Sequence, residues 1–285
     1  MTNAYVTLDT LKGSGVLNIT GTGDDARLLA LIEAVSRVID RYCGRHFYSM
    51  KSAKRFDGNG GVSLLVPDLI SIDSGGLKTD DNKDRSFETT WATTDYLLLP
   101  TNADPTNSDD PEARPYSRIE VDRDAGSKAS FPSGRELVQV TGEWGYRRHL
   151  KRAAETADAI ADATTNSVTV SARTDVDAGH TLLVDSEQLY VKSYSGNTLT
   201  VARGVNGTAA TSHSGGAVID IYQRPGPIVE AAIMQSARLW RRKDGAFSNL
   251  AGFPETGQAR IAVGIDADVA MLLGQYRKLP VGVSI

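Results

Sequence analysis

Helical spacing is confined to the two ends of this chain, and what lies between reads almost entirely as short strand runs separated by turn residues. With 27 glycines and 7% aromatics, this points to many turns and a β-rich fold more than a helical bundle. The first helical stretch follows Gly21 to Gly23, with Asp24 and Asp25 at its positive end, and carries Leu28, Leu31, Ile32, Val35, Val38, Ile39 and Tyr42 on one stripe. Gly44 stands where a left-handed cap ends a helix, and Arg41 and Arg45 suit the negative end of the dipole. The spacing predicts a helix over 24–43.

From Lys51 to Gly142 the apolar runs predict strands at 53–56, 62–66, 69–72, 96–99, 118–121 and 137–141. The segment from Pro100 to Pro115 is dominated by Asn, Asp, Thr and Pro, which predicts a long exposed loop. A second strand-rich region follows the Ala- and Asp-rich stretch 153–163, with runs at 168–170, 182–184, 189–191, 199–201 and 218–221 punctuated by glycines. It is expected to be an all-β module inserted between 157 and 222, folding on its own. Pro225 and Pro227 then open a helix over 227–242, Gly245 stops it, and Asp266 caps a short helix to Gln275. The expected fold class is α+β, with helices packed on a small, mainly antiparallel sheet and the inserted module on a two-stranded stem. Domains are expected at 1–156, 157–222 and 223–285.

The 285 residues and 40% hydrophobic content suffice for sizeable cores. A formal net charge of -4 gives no general attraction to nucleic acid or an anionic membrane, so any DNA contact must be local. No apolar run approaches the roughly 20 residues of a membrane helix, and residues 1–10 lack the basic-then-apolar order of a secretory signal, so a cytosolic site of synthesis is expected. Cys43 alone cannot form an internal disulfide, and four scattered histidines match no zinc pattern. No cofactor and no metal is expected.

Asp80, Asn82 and Asp84 have the spacing of the first ligands of a calcium loop, but Arg85 replaces the required glycine and Trp91 the closing Glu, so a solvated turn is the reading. Cys43 reads as a buried structural thiol, and His149, His180 and His213 as surface or loop histidines. The Gly-rich pieces 11–15 and 212–216 match no phosphate loop, and neither a nucleophile elbow nor another catalytic signature is present, so no enzymatic role is expected. Two basic clusters stand out, Arg147, Arg148, Lys151 and Arg152, and Arg238, Arg241, Arg242 and Lys243. The second is the candidate for contact with DNA, against the ordinary alternative of solvated helix ends or bridges to acidic neighbours.

Three segments together resemble the head-tail connector (adaptor) proteins of long-tailed bacteriophages. Thr7-Leu8-Asp9 and the helix ending Ile39-Asp40-Arg41-Tyr42-Cys43-Gly44-Arg45-His46-Phe47 look like that family's entry and first long helix. Val140-Thr141-Gly142-Glu143-Trp144-Gly145-Tyr146 resembles its last core strand and turn. The helix from Pro227, Gly252-Phe253-Pro254-Glu255-Thr256-Gly257, and Asp266-Ala267-Asp268-Val269 with Leu272-Leu273 and Tyr276-Arg277 resemble its C-terminal region. The region 157–222 departs from compact members, and its own strands resemble, more weakly, small β units of phage structural proteins. The resemblance implies a virion protein at the neck, forming a dodecameric ring that docks on the portal and offers a platform to a stopper or tail-completion protein. It also implies that the C-terminus reaches into the portal. Tyr276, Arg277, Lys278, Leu279, Val281, Val283 and Ile285 are the candidate portal-binding residues, their alternating apolar groups suiting an added strand. The alternative function is a tail or baseplate protein whose β module binds host-surface carbohydrate.

Overall fold

In a computed structural model of the chain, residues 3–13, 15–107, 110, 112–245, 250–251, 259–260 and 264–278 are described. Among the described residues the fold is mixed but mostly β, with two antiparallel six-stranded sheets and four α-helices. The described residues fall into two compact units, one of Met1–Arg45, Lys151–Val205 and Ala209–Ile285, the other of His46–Leu150 with Asn206–Thr208. Among the described residues no helix is long and apolar enough to cross a membrane.

The first unit begins with α1 (Leu8–Lys12), whose N-cap Thr7 hydroxyl accepts from the Thr10 N–H, and α2 (Asp25–Cys43). Helix α2 ends because Gly44 takes φ 66° and returns its N–H to the Asp40 carbonyl, as the sequence predicts. Its buried stripe is Leu28, Leu29, Ile32, Val35, Ser36, Ile39 and Cys43.

The second unit is a sheet built from β1 (Met50–Asn59), β2 (Ser63–Thr79), β3 (Thr89–Thr90), β4 (Tyr96–Leu99), β5 (Tyr116–Val121) and β6 (Ser133–Trp144). Its strand order is β1-β6-β2-β5-β4, with β3 on β2. The two runs expected at 62–66 and 69–72 are one strand, β2, because the register slips between Leu65 and Leu69 and accommodates Pro67 there. The core holds Leu64, Leu69, Leu77, Ile119, Val138, Val140 and Trp144. Trp91, weighed in the sequence as a ligand position, is a core residue stacked on Phe131 at 4.8 Å with its indole N–H on Thr79. The segment 100–115 is a loop, but not wholly exposed: Ala103, Pro105, Ala113 and Pro115 are buried. Small apolar side chains in a polar stretch supply anchors that an overall composition does not register.

The second sheet belongs to the first unit and runs in the order β7-β12-β9-β10-β11-β8: β7 (His149–Ala157), β8 (Ser167–Thr169), β9 (Thr181–Val184), β10 (Glu187–Ser195), β11 (Thr198–Ala202) and β12 (Ala217–Gln223). Five of these strands match predicted runs, but β7 occupies sequence read as a polar boundary. It alternates, burying Ala153, Glu155 and Ala157 while Arg152 and Ala154 face out, and alanine at the inward positions hides the pattern. The sheet therefore begins at His149 rather than 157. Nor is it isolated from the N-terminus: the Leu8 N–H donates to the Ala178 carbonyl at 2.9 Å, the Asp9 N–H to Asp177 at 2.9 Å, and the Thr181 hydroxyl to Asn3 at 3.1 Å. The same unit is completed by α3 (Gly226–Arg241) and α4 (Ala267–Leu273), with Asp266 capping α4 through its carboxylate.

Candidate functional site

Helix α2 packs on α3, and α3 on α4, so the two ends of the chain form one helical assembly. The join between α3 and α4 is polar and specific. Asp266 receives Arg238 at 3.0 Å, the Gln235 carboxamide accepts the Asp266 N–H at 3.3 Å and donates to the Gly264 carbonyl at 3.3 Å, while Val269 and Leu273 are buried. Beyond α4 the chain lies along the C-terminal end of α2. The Lys278 N–H donates to the Cys43 carbonyl at 2.8 Å, using an acceptor that the helix leaves unsatisfied, and the Arg277 guanidinium lies 4.9 Å over the Tyr42 ring. Cys43 itself is buried, and burial above all pushes its thiol up to about 11, as a structural thiol requires.

Of the candidate portal-binding residues, Tyr276 and Lys278 are thus half-buried, and Arg277 is exposed. Leu279, Val281, Val283 and Ile285 lie outside the described residues, as does the stretch 252–257. In the second basic cluster the four side chains do different things. Arg238 is committed to Asp266, Arg241 donates to the Val16 carbonyl at 2.8 Å, and the Lys243 ammonium lies 3.5 Å over the Trp240 ring. Arg242 is half-buried in the turn after α3. The first cluster is bridged to acids: Arg148 to Glu143 at 2.7 Å, Lys151 to Asp175 at 2.8 Å and Arg152 to Asp220 at 2.6 Å.

The most concentrated buried charge was not legible as such. Glu187, at the start of β10, is fully buried, and its carboxylate receives Arg203 through two bonds of 2.6 and 2.7 Å, His213 at 2.8 Å, and the N–H groups of Gly204 and Thr211. Burial works to raise Glu187, but these donors outweigh it and hold the group at about 2. His213 is correspondingly not a surface residue; its second nitrogen lies 2.7 Å from Asp185. Arg203 also reaches the carbonyls of Asp162, Thr165 and Thr211. Four separated segments are thereby tied to one carboxylate. The sequence signal was a charged residue at an inward strand position, Glu187 before Leu189 and Val191, which demands a buried partner.

A cleft of about 980 Å³ between α1, α2 and β10 is lined by Asp9, Lys12, Asp25, Glu33, Lys192 and Tyr194 among others. Lys12 is paired with Asp25 at 2.5 Å. The Tyr194 hydroxyl donates to Asp9 at 2.9 Å, and burial together with that carboxylate pushes it up to about 12, so it stays protonated. The Asp80, Asp84 and Glu88 carboxylates lie within 4.8 Å of one another. The turn there is not fully solvated, since Asp80 is buried, and its carboxylate accepts the N–H groups of Lys83, Asp84 and Arg85 at 2.6–3.3 Å. No family model, curated protein or solved structure gives a match to the chain.

Proposed function

We propose that the chain is a subunit of a head-tail connector ring of a long-tailed bacteriophage, working by assembly rather than by catalysis. The observation that carries this reading is the placement of two of the segments that resemble connector proteins. The end of α2, the α3–α4 pair and residues 276–278 lie in one assembly although far apart in sequence, with Lys278 bonded to the last turn of α2. In this reading each copy buries its side faces against identical neighbours, and a head-to-tail interface closes when the rotation per subunit divides the circle. A dodecameric ring then meets the portal at one end and a stopper or tail-completion protein at the other, in the virion neck.

The tail beyond Lys278 is the proposed grip. Lys278, the last described residue, is bonded to the last turn of α2, and in the sequence beyond it Val281, Val283 and Ile285 alternate as an edge-added strand requires. Contact with DNA in the channel is proposed for the cluster Arg238, Arg241, Arg242 and Lys243, of which Arg238 and Arg241 also hold other parts of the fold. The test is co-sedimentation of the full chain and of a chain ending at Lys278 with portal rings, and in parallel with host cell-wall glycans. Binding of the full chain to the portal, lost on truncation, is the expected result. Binding to glycans alone favours the tail or baseplate role instead.

A further inference from the structure

A small cavity in the first unit, about 170 Å³, lies between the segment 4–10, the start of β9 and the link from β12 into α3. Its polar lining, which includes Arg224, His180, Gln223, the threonines 7, 10 and 181 and the two tyrosines 5 and 222, consists of donors and amphoteric groups. None of the described residues lining it is acidic. A guanidinium offers five N–H donors and no acceptor, and leaving one inside without a partner is costly. The Arg224 Nε is buried with no hydrogen-bond partner and out of reach of water, so the donors that can face the cavity are its terminal N–H groups.

The nearby carboxylates are engaged elsewhere. Asp40 receives the Tyr5 hydroxyl and Arg37, the latter at 3.1 Å, and Asp177 accepts the N–H groups of Asp9 and Ala178. The Tyr5 ring lies under both Arg37 at 5.3 Å and Arg224 at 5.7 Å, which spreads positive charge over one aromatic without neutralising it. On the other wall, His180 Nδ1 accepts the Asp177 N–H at 3.1 Å, so the neutral ring carries its proton on Nε2 as a further donor.

We propose that this cavity binds a compact oxyanion, of the phosphate or carboxylate class, held by the Arg224 guanidinium and the His180 Nε2–H. The volume sets the size limit, being below the roughly 300 Å³ at which pockets for drug-sized ligands begin. A single phosphate or acetate-sized group fits this volume. The surrounding potential agrees. Burial first, then Arg224 and Lys151, push His180 down to about 4 against the opposing pull of Asp175 and Asp9, so the ring is a neutral donor at physiological pH. The inference does not rest on ring assembly.

The test is the melting temperature of the full chain at pH 7.5 in sodium phosphate and, separately, sodium acetate, against sodium chloride at equal ionic strength. A saturable rise of about 2–4 °C is expected with at least one of the two anions. A response to phosphate alone identifies a tetrahedral ligand, and one to acetate alone a carboxylate. Arg224→Met removes the guanidinium while keeping its volume, and the rise is expected to vanish. No rise with either anion, or an equal rise in the variant, overturns the proposal. Should the variant not melt cooperatively, the unaltered chain decides: the His180 imidazole ¹⁵N resonances are expected to shift saturably with the active anion, and resonances that do not move contradict the site.

Discussion

At the residue scale the chain depends on polar groups buried in complete networks, and Glu187 is the sharpest case. Glu187→Gln leaves the buried Arg203 guanidinium without its charge partner and is expected to cost roughly 3–5 kcal/mol, measured by urea denaturation at pH 7. Acid separates its contribution from that of His180. The folded pKa of Glu187 is depressed from 4.5 to about 2, so the unfolded chain binds the proton more tightly. Its stabilisation is complete above pH 4.5 and is lost as pH falls from there to about 2. His180, depressed from 6.5 to about 4, is neutral when folded, so stability already declines between those values. His180→Gln is expected to flatten the higher window and leave the lower one, read as unfolding free energy against pH. Neither network was written in spacing. The sequence showed Glu187 at an inward position, but its partners Arg203 and His213 come from different turns, and only the fold brings them together.

At the element scale, local chemistry fixed what local spacing predicts. Helix α2 and its Gly44 cap, β4, and the proline-opened α3 follow from periodicity and punctuation, whereas β7 escaped because its inward residues are mostly alanine. The motif Val140 to Tyr146, read in the sequence as a family feature, has a packing reason at Gly142, Trp144 and Gly145. A side chain at Gly142 meets the Ser71 carbonyl at 2.1 Å, one at Gly145 meets the Tyr48 carbonyl at 2.3 Å, and Trp144 is fully buried with its N–H on the Ser52 carbonyl at 2.9 Å. Gly142→Ala is therefore expected to destabilise by about 2 kcal/mol or more, by forcing β2 off β6. Gly23→Ala, with open space around it, serves as the neutral control in the same denaturation series. The module was expected to be removable, but its sheet carries backbone and side-chain bonds from residues 3–9. Replacing Asp158 to Tyr222 by a Gly/Ser linker strips β7 and the N-terminal segment of their partners. Scanning calorimetry of that deletion is expected to show loss of the transition belonging to the first unit; an unchanged transition would mean that the segment holds its place without the sheet.

At the scale of the whole molecule, the proposed function depends on surfaces that an isolated chain leaves open. Leu65 is 69% exposed and Met271 74%, but single apolar side chains at a surface are ordinary and mark no interface by themselves. The order of strand and helix signals was readable from residue types, but which elements share a unit was not, because pairing between distant strands follows from topology rather than from any local pattern. The central claim is assembly into a closed ring on a portal, and native mass spectrometry of the full chain, alone and mixed with its cognate portal, reads that directly. One discrete complex is expected, in which the copies of this chain match a closed dodecameric ring on the portal. A chain that stays monomeric at every concentration, with and without portal, would contradict it.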